Sequence, residues 1–306
     1  MDTPRAPSAP LVFEEPRRAG RALDGSPVVR LQPRTVGQLL DGGFEVLRFR
    51  FRTIAVVAAT LVLPLYVLPQ VLAVVTGTQV SQNPLFGSSS SFGSTTQPIG
   101  SGFVAAQWYA LGAALGLALA SMLLGVGVSH LVCGWLIGVD RSANETLRFV
   151  LRRTPVVLGA FVLALLLKAL GALACCIGLL FVVPLLSVLA PVVGAEDLGA
   201  ASSVSRTWKL GKRRLGPLIG VSLLWGLVSS ALSLGVQTAA AAAGYAVSNS
   251  VSGASITVQV VSVVSTVLLL VVQVSVTVLV YIDLRVRTEG LDLQMDAAER
   301  FPVAVA

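Results

Sequence analysis

The sequence predicts an all-α, polytopic membrane protein with six transmembrane helices that form three helical hairpins. Its 306 residues are 55% hydrophobic and only 12% charged, whereas soluble domains carry about 25% charged residues. The ionised side chains are also confined to short blocks, because residues 53–139 and 215–282 contain none and residues 154–195 contain only Lys168. A charge near the centre of a bilayer is energetically costly, so gaps of this length are typical of membrane spans.

The number of spans follows from the lengths of these gaps. A helix rises about 1.5 Å per residue, so about 20 apolar residues cross a hydrocarbon core that is about 30 Å thick. The first and third gaps each hold two spans, while the middle gap fits either one long helix or a tight hairpin that turns near Ala174–Cys176. Both flanks of the middle gap are basic, and basic loops stay cytoplasmic, so an even number of crossings is expected. A full hairpin and a re-entrant pair both satisfy this condition. The predicted spans are about 53–75, 106–137, 155–174, 176–193, 215–243 and 257–282.

The charged residues also predict the orientation of the chain. All 22 Lys and Arg residues except Lys168, and all 15 acidic residues, fall in the segments that alternate with the predicted outer loops. The positive-inside rule therefore places both termini in the cytoplasm and the chain in the cell (cytoplasmic) membrane. We expect a disordered cytoplasmic tail over residues 1–33, a membrane domain over 34–293 and a second cytoplasmic tail over 294–306.

Each predicted outward helix is preceded by a short amphipathic stretch that ends in basic residues, at 35–52, 142–153 and 197–214. We predict that these stretches are interfacial helices on the cytoplasmic face, and that each begins one copy of an internal repeat. The alternative is that every inside-to-outside helix needs basic flanks, which would produce part of the similarity without a repeat. Trp208, beside Lys209, suits the headgroup level. The apolar stripe of the first stretch consists of Val36, Leu39, Leu40, Phe44 and Leu47.

Three parts of the chain resemble a known family of membrane domains. They are Leu39-Leu-Asp-Gly-Gly-Phe-Glu-Val-Leu-Arg48, then Pro191-Val-Val-Gly-Ala-Glu196 with Ser205-Arg-Thr-Trp-Lys-Leu210, and Tyr281-Ile-Asp-Leu-Arg-Val-Arg-Thr-Glu-Gly-Leu-Asp-Leu293. These motifs are similar to the membrane-domain family named after glycerophosphoryl diester phosphodiesterase, over about residues 34–293. The resemblance implies an integral membrane domain of a kind common in high-GC Gram-positive bacteria.

The family name does not imply hydrolysis by this chain. It comes from proteins in which such a membrane domain is joined to a soluble phosphodiesterase, and that hydrolase needs histidines for acid–base chemistry and carboxylates for a divalent metal. This chain has one histidine, His130, which lies inside a predicted span. We therefore expect a protein without its own catalysis, without a cofactor and without a metal site.

Two side chains within the predicted spans are candidate contacts for a lipid or another ligand. Lys168 is expected in the outer third of the bilayer, where its ammonium group either reaches the outer headgroups or contacts an anionic headgroup or substrate within the bundle. His130 is either a hydrogen-bonding partner in helix packing or a ligand or proton-relay residue.

A second group of polar residues lies at the predicted inner ends of the spans and in the adjoining surface helices. Opposite charges there would either join the three elbows as a structural clasp or form a site for a headgroup or partner. The candidates for this clasp are Asp41, Glu196, Trp208, Asp283, Arg285, Arg287 and Glu289.

These observations favour a non-enzymatic integral membrane protein that organises lipids, or a membrane or envelope partner, from the inner leaflet. The alternative is a transporter or lipid translocase, which would need a polar path, although few polar side chains lie within the spans. We expect membrane lipids with anionic headgroups as partners, together with a membrane-protein partner or a second copy of the chain. Nucleic acid is not expected, because the basic residues flank apolar spans.

Overall fold

The computed structural model describes residues 35–75, 101–173, 177–248 and 251–291. Within these ranges the chain is helical and contains no β-strand. The predicted tails, the outer loop and the turn at Ala174–Cys176 lie outside the described residues. Six segments are long and apolar enough to cross a membrane: Phe51–Val71, Leu111–Leu136, Ala143–Leu173, Gly178–Ala195, Leu215–Val247 and Thr257–Glu289. The chain is therefore an all-α, multi-pass integral membrane protein, as predicted.

The helices follow the predicted order, although two of the spans are built from more than one helical piece. The first span combines α2, a π-helical segment and α3, and the fourth span combines α6 and α7. The elements are α1 (Val36–Phe49), α2 (Phe51–Val62), the π-helical segment (Leu63–Val67), α3 (Leu68–Val75), α4 (Ser101–Leu136), α5 (Ala143–Leu173), α6 (Ile177–Ser187), α7 (Leu189–Ala195), α8 (Ala200–Lys212), α9 (Leu215–Ser248) and α10 (Val251–Glu289).

Helix α1 is a short amphipathic helix, as predicted, but its buried face differs from the predicted apolar stripe. Phe44, a member of that stripe, is 50% exposed. A Cβ atom on Gly43 would lie 2.5 Å from Cγ2 of Val276, so the missing side chain is what lets α1 pack closely on α10. Leu39 of the predicted stripe is buried, but two glycines and Val46, which the stripe did not include, form the rest of the buried face. The buried residues of α1 are Leu39, Gly42, Gly43 and Val46.

The second predicted surface helix, at 142–153, is not a separate element. Helix α5 runs without a break from Ala143 through Pro155 to Leu173, so the prediction of a separate surface helix at 142–153 is wrong. Pro155 lacks the N–H that would bond to the carbonyl oxygen of Leu151, and the helix continues past this one missing hydrogen bond. The third span and its preceding amphipathic stretch therefore form one continuous helix.

Contacts divide the described residues into two compact units. The first contains residues 35–57, 122–225 and 272–291, and it includes all of α1 and α5–α8. The second contains residues 58–121 and 226–271. Both of the surfaces described below as candidate sites lie entirely within the first unit.

In the first unit, α4 and α7 pack at almost backbone-to-backbone distance. A Cβ atom on Gly194 would lie 2.6 Å from the carbonyl oxygen of Val126 and 3.0 Å from Cβ of Ser129. The hydroxyl of Ser129 donates a hydrogen bond to the carbonyl oxygen of Pro191 at 3.1 Å. Small residues permit such an approach between membrane helices. This contact holds the end of α7 in place, directly before Glu196.

Helices α5 and α6 form a tight hairpin within the same unit. Helix α5 ends at Leu173 and α6 begins at Ile177. A Cβ atom on Gly178 would lie 2.5 Å from the carbonyl oxygen of Gly171, so the two helices touch immediately beside the reversal of the chain. The middle gap in the charge pattern is therefore two helices and not one long helix.

The second unit contains an irregularity in the first span. A π-helical segment covers Leu63–Val67 and includes Pro64, and proline is a common cause of helix irregularity. Gly116 of α4 packs directly against the backbone carbonyl of Leu65, leaving no room for a Cβ atom. The hydroxyl of the buried Tyr66 is hydrogen-bonded to the side chains of Thr266 and Gln70.

Candidate functional site

The centre of the first candidate site is the carboxylate of Glu196, which is only 1% exposed. Glu196 caps the end of α7 in an extended conformation, and its side chain turns back into the first unit. Nε of Arg206 donates to its two carboxylate oxygens at 2.9 and 3.2 Å, and the hydroxyl of Tyr281 donates to Oε1 at 2.9 Å. A buried carboxylate is stable only when it is paired and hydrogen-bonded, and these contacts provide both conditions.

A second carboxylate and a second guanidinium extend this cluster along α10. Arg285 is 6% exposed; its NH1 nitrogen lies 4.0 Å from Oε1 of Glu196 and donates to the hydroxyl of Tyr281 at 3.3 Å. Nε of Arg285 donates to Glu289 at 2.9 Å, and Glu289 also forms an ion pair with Arg206. We call Glu196, Arg206, Tyr281, Arg285 and Glu289 the ion network. Two carboxylates and two guanidinium groups balance each other in it, and they join α7, α8 and α10.

Helix α5 is connected to the same region through Arg153. Its guanidinium donates to the carbonyl oxygens of Glu196 at 3.1 Å and Leu198 at 3.2 Å, and it also forms an ion pair with Asp197. These carbonyls belong to the link between α7 and α8, in which the N–H of Leu198 also donates to the carbonyl oxygen of Glu196 at 2.9 Å. Arg153 therefore adds charge-assisted hydrogen bonds that fasten this link to α5. Through Arg153, helix α5 is thus joined to the same region as α7, α8 and α10.

The pKa of Arg206 reflects both its burial and its carboxylate partners. Burial on its own would lower the pKa of Arg206, but the hydrogen bond and charge of Glu196, together with Glu289, outweigh burial and raise this pKa above its ordinary value. A guanidinium group is protonated at neutral pH in any case, and the two carboxylates stabilise this charged form. The arrangement is suited to fixing helices relative to each other.

His130 lies in a separate cluster of the first unit. Its half-buried ring stacks on Phe149 with a centroid distance of 3.8 Å and an interplanar angle of 12°. NH1 of Arg141 lies 2.7 Å from Nδ1 and 2.9 Å from Nε2, and donates to the carbonyl oxygen of His130 at 3.0 Å. Burial lowers the pKa of Arg141. NH1 of Arg141 therefore lies close to both ring nitrogens, and the two alternative roles of His130 stay predictions.

The remaining predicted site residues lie apart from the ion network or pair elsewhere. Asp283 accepts a hydrogen bond from Arg287, one turn further along α10, at 2.9 Å. Asp41 is exposed and forms no ion pair with any described residue. Lys168 is half-buried on α5, and no described carboxylate pairs with its ammonium group. Trp208 is 39% exposed and faces a cavity instead of the network.

Of the predicted clasp, the structure thus brings together Glu196, Arg285 and Glu289. The prediction missed Arg206, Tyr281 and Arg153. A signal for Tyr281 existed in the sequence, since it lies four residues before Arg285 and so shares a helix face with it. Arg206 is less evident, because exposed cations follow it in the sequence and its pairing with Glu196 depends on how α7 and α8 meet.

The second candidate site is a cavity of about 480 Å³ between α5 and α8. Its walls are mostly apolar, and the polar side chains of its lining are Ser205 and Lys209. Helix α8 therefore has two different faces: one packs on the ion network, and the other lines this cavity. The lining consists of Leu163, Leu167, Ala201, Val204, Ser205, Trp208 and Lys209.

Within the described ranges, no group of three or more His, Cys, Asp or Glu residues could hold a metal ion. Comparisons with models of known protein families, with curated proteins and with solved structures find no match. Fold and site together define a class, which is that of all-α integral membrane proteins whose helices are joined by a buried, charge-balanced ion network.

Proposed function

We propose that this chain is a non-catalytic protein of the cell membrane that organises anionic lipid at the inner leaflet through the exposed face of α8. The observation that carries the proposal is the division of α8 into two faces. Arg206 is held by the ion network on one side, whereas Trp208, Lys209 and Lys212 are exposed on the other. An exposed aromatic ring beside several cations is a composition that favours an anionic membrane surface.

The electrostatics of this segment support the same proposal. Lys209, Lys212, Arg213 and Arg214 are all exposed, and the sequence contains no Asp or Glu between Asp197 and Asp283. The four cations therefore have no acidic residue nearby in the chain to balance them. Each Lys or Arg near an anionic leaflet contributes about 1 kcal/mol of attraction.

The ion network contributes by holding α8 in a fixed orientation. Leu210 and Gly211 are buried, and a Cβ atom on Gly211 would lie 2.5 Å from Cδ2 of Leu185. Because the carboxylates of Glu196 and Glu289 are already paired with arginines, they are not open to a substrate. This supports a structural task for the network and a lipid-facing task for the basic residues. The resemblance to the phosphodiesterase-associated membrane domains stays a prediction.

The proposal can be tested with purified protein and native mass spectrometry. The parent should retain phosphatidylglycerol in preference to phosphatidylcholine. A variant in which Lys209, Lys212, Arg213 and Arg214 are all replaced by Gln should lose this preference. The matched control is Arg148→Gln with Arg152→Gln, which removes exposed cations from α5. A parent without preference for the anionic lipid, or equal losses in the two variants, would contradict the proposal.

A transporter or lipid translocase is the second candidate, and one observation favours it. The first span is interrupted by the π-helical segment at Leu63–Val67, and irregular helices line substrate sites in many transporters. Substrate-dependent transport by reconstituted protein, abolished by Pro64→Ala with the fold intact, would favour this candidate over lipid organisation.

A further inference from the structure

We propose that the cavity between α5 and α8 binds one acyl chain of an anionic phospholipid, whose phosphate contacts the ammonium group of Lys209. This inference rests on the proposed function, since it assigns a specific binding site to the lipid-facing side of α8. The lipid occupying the site would be a stoichiometric ligand, in contrast to the many lipids attracted weakly by a basic surface.

The shape of the cavity follows from how α5 and α8 meet. At one end the helices touch, because a Cβ atom on Gly159 would lie 3.0 Å from Cβ of Ala200. Further along both helices, side chains of α5 and α8 such as Leu167 and Val204 line open space instead. The result is a slot that is closed at one end. It has a volume of about 480 Å³ and is largely open to the surroundings along its side.

The apolar part of the slot identifies the first half of the ligand. Leu163 and Leu167 form one wall, and the adjoining surface of α5 exposes Val162 and Leu166 at 53% and 56%. An exposed apolar face on a membrane-spanning helix is a lipid-facing face, so the slot lies beside bilayer hydrocarbon. Acyl chains are present there at high concentration, and an apolar slot is unfavourable for water.

The polar end of the slot identifies the second half of the ligand. Lys209 is exposed, forms no ion pair with any described residue, and lies at the cavity next to Ser205. Lys212 and Arg213 follow within the next turn, so the local field favours an anion. Trp208 provides an amphipathic ring between the apolar and charged parts. An amphiphile with a phosphate head and an acyl chain matches both halves of the slot, whereas free phosphate matches one.

The direct test fills the slot. In Ala201→Phe with Val204→Phe, native mass spectrometry in detergent should no longer detect the single phosphatidylglycerol that the parent retains. Leu166→Phe is the matched control, since it adds the same type of bulk on the exposed face of α5 and should leave that lipid bound. Lys209→Gln should weaken its binding about tenfold, the value expected for one lost charge-assisted hydrogen bond. Lys212→Gln should have a smaller effect.

A second measurement covers the case in which the filled variant does not fold. One equivalent of phosphatidylglycerol with a brominated acyl chain should quench tryptophan fluorescence of the parent, and Trp208→Phe should remove most of that quenching. Glycerol 3-phosphate, which carries the phosphate but no chain, should not displace the lipid. Displacement by glycerol 3-phosphate, or quenching that persists without Trp208, would overturn the assignment of the acyl chain to this slot.

The outcomes also separate this inference from the proposed function. One outcome is that the filled variant keeps a tightly bound anionic lipid while replacement of the four cations removes it. That outcome would support the proposed function of the basic residues and contradict the assignment of an acyl chain to the slot. If the parent shows no preference for phosphatidylglycerol, both the proposed function and the slot are wrong.

Discussion

The hydroxyl group of Tyr281 donates a hydrogen bond to Oε1 of Glu196 at 2.9 Å, across 85 positions of the sequence. The two residues are 2% and 1% exposed. Tyr281 also accepts a hydrogen bond from Arg285 at 3.3 Å, so its hydroxyl links a buried acid to a buried base. This bond joins α10 to the end of α7 and directs the second carboxylate oxygen toward Arg206.

The first prediction concerns the charge at the centre of the ion network. Glu196→Gln leaves Arg206 and Arg285 without their shared buried partner, and removing one member of a buried ion pair typically costs about 3–5 kcal/mol. We expect a loss of that order in the free energy of unfolding, measured by denaturant titration in detergent. Asp41→Asn is the control, because Asp41 is exposed and pairs with no described residue, and it should be nearly neutral. Equal effects of the two changes would show that the network is not stabilising.

The second prediction uses Tyr281 to measure coupling within the network. Tyr281→Phe removes one hydroxyl and leaves the ring in place, so the carboxylate loses one donor at a cost of about 1–3 kcal/mol. The variant that carries both Tyr281→Phe and Glu196→Gln should lose clearly less stability than the sum of the two single losses, since both changes remove the same bond. The same denaturant titration, applied to the parent, the two single variants and the double variant, completes a double-mutant cycle. Full additivity would mean that the bond between Tyr281 and Glu196 contributes little.

The third prediction concerns the close contact of α4 and α7. Gly194→Ala places a methyl group 2.6 Å from the carbonyl oxygen of Val126, and such overpacking typically costs about 1–3 kcal/mol. Gly220→Ala in α9 is the control, because no atom lies within 4 Å of the added carbon. There alanine should be neutral or stabilising, since it is the better helix former. A thermal shift assay compares the melting temperatures of the two variants. An unchanged melting temperature in Gly194→Ala would contradict the close contact of α4 and α7.

The fourth prediction concerns Lys168. Lys168→Met keeps most of the volume of the side chain and removes the desolvation penalty of a half-buried ammonium that no described carboxylate balances. Stability in detergent should therefore be equal or higher than in the parent. Native mass spectrometry serves as the second readout. Loss of a bound anionic lipid, with the fold intact, would identify Lys168 as a lipid contact, and no loss would leave it as an anchor near the headgroups.

The fifth prediction concerns the orientation of the chain. Single cysteines at Ser89 and Ser250, in a background without native cysteines, should react with an impermeant thiol reagent applied to intact cells. Cysteines at Ser142 and Ser202, both exposed in the structure, should react only after the membrane is opened. Labelling of position 142 or 202 from outside would contradict a topology with both termini in the cytoplasm.

Parts of the candidate site could be predicted because local patterns mark them. Glu196, Arg285 and Glu289 stand out as charges next to long apolar runs, and the structure pairs them. Arg206 escaped the prediction because nothing in the neighbouring sequence distinguishes it from the exposed Lys209. The prediction of a separate surface helix at 142–153 was wrong, because α5 continues through Pro155.

The sequence by itself determined the fold class, the number of membrane-spanning helices and the approximate position of each. The physical reason is that exclusion of charge from hydrocarbon acts on each residue separately, so it leaves a record along the chain. Only the tertiary structure decided which charges pair, which face of α1 is buried and where a cavity opens between α5 and α8. Those features depend on distances between segments far apart in the sequence, as between Glu196 and Tyr281, and on close approaches that glycines such as Gly43 permit.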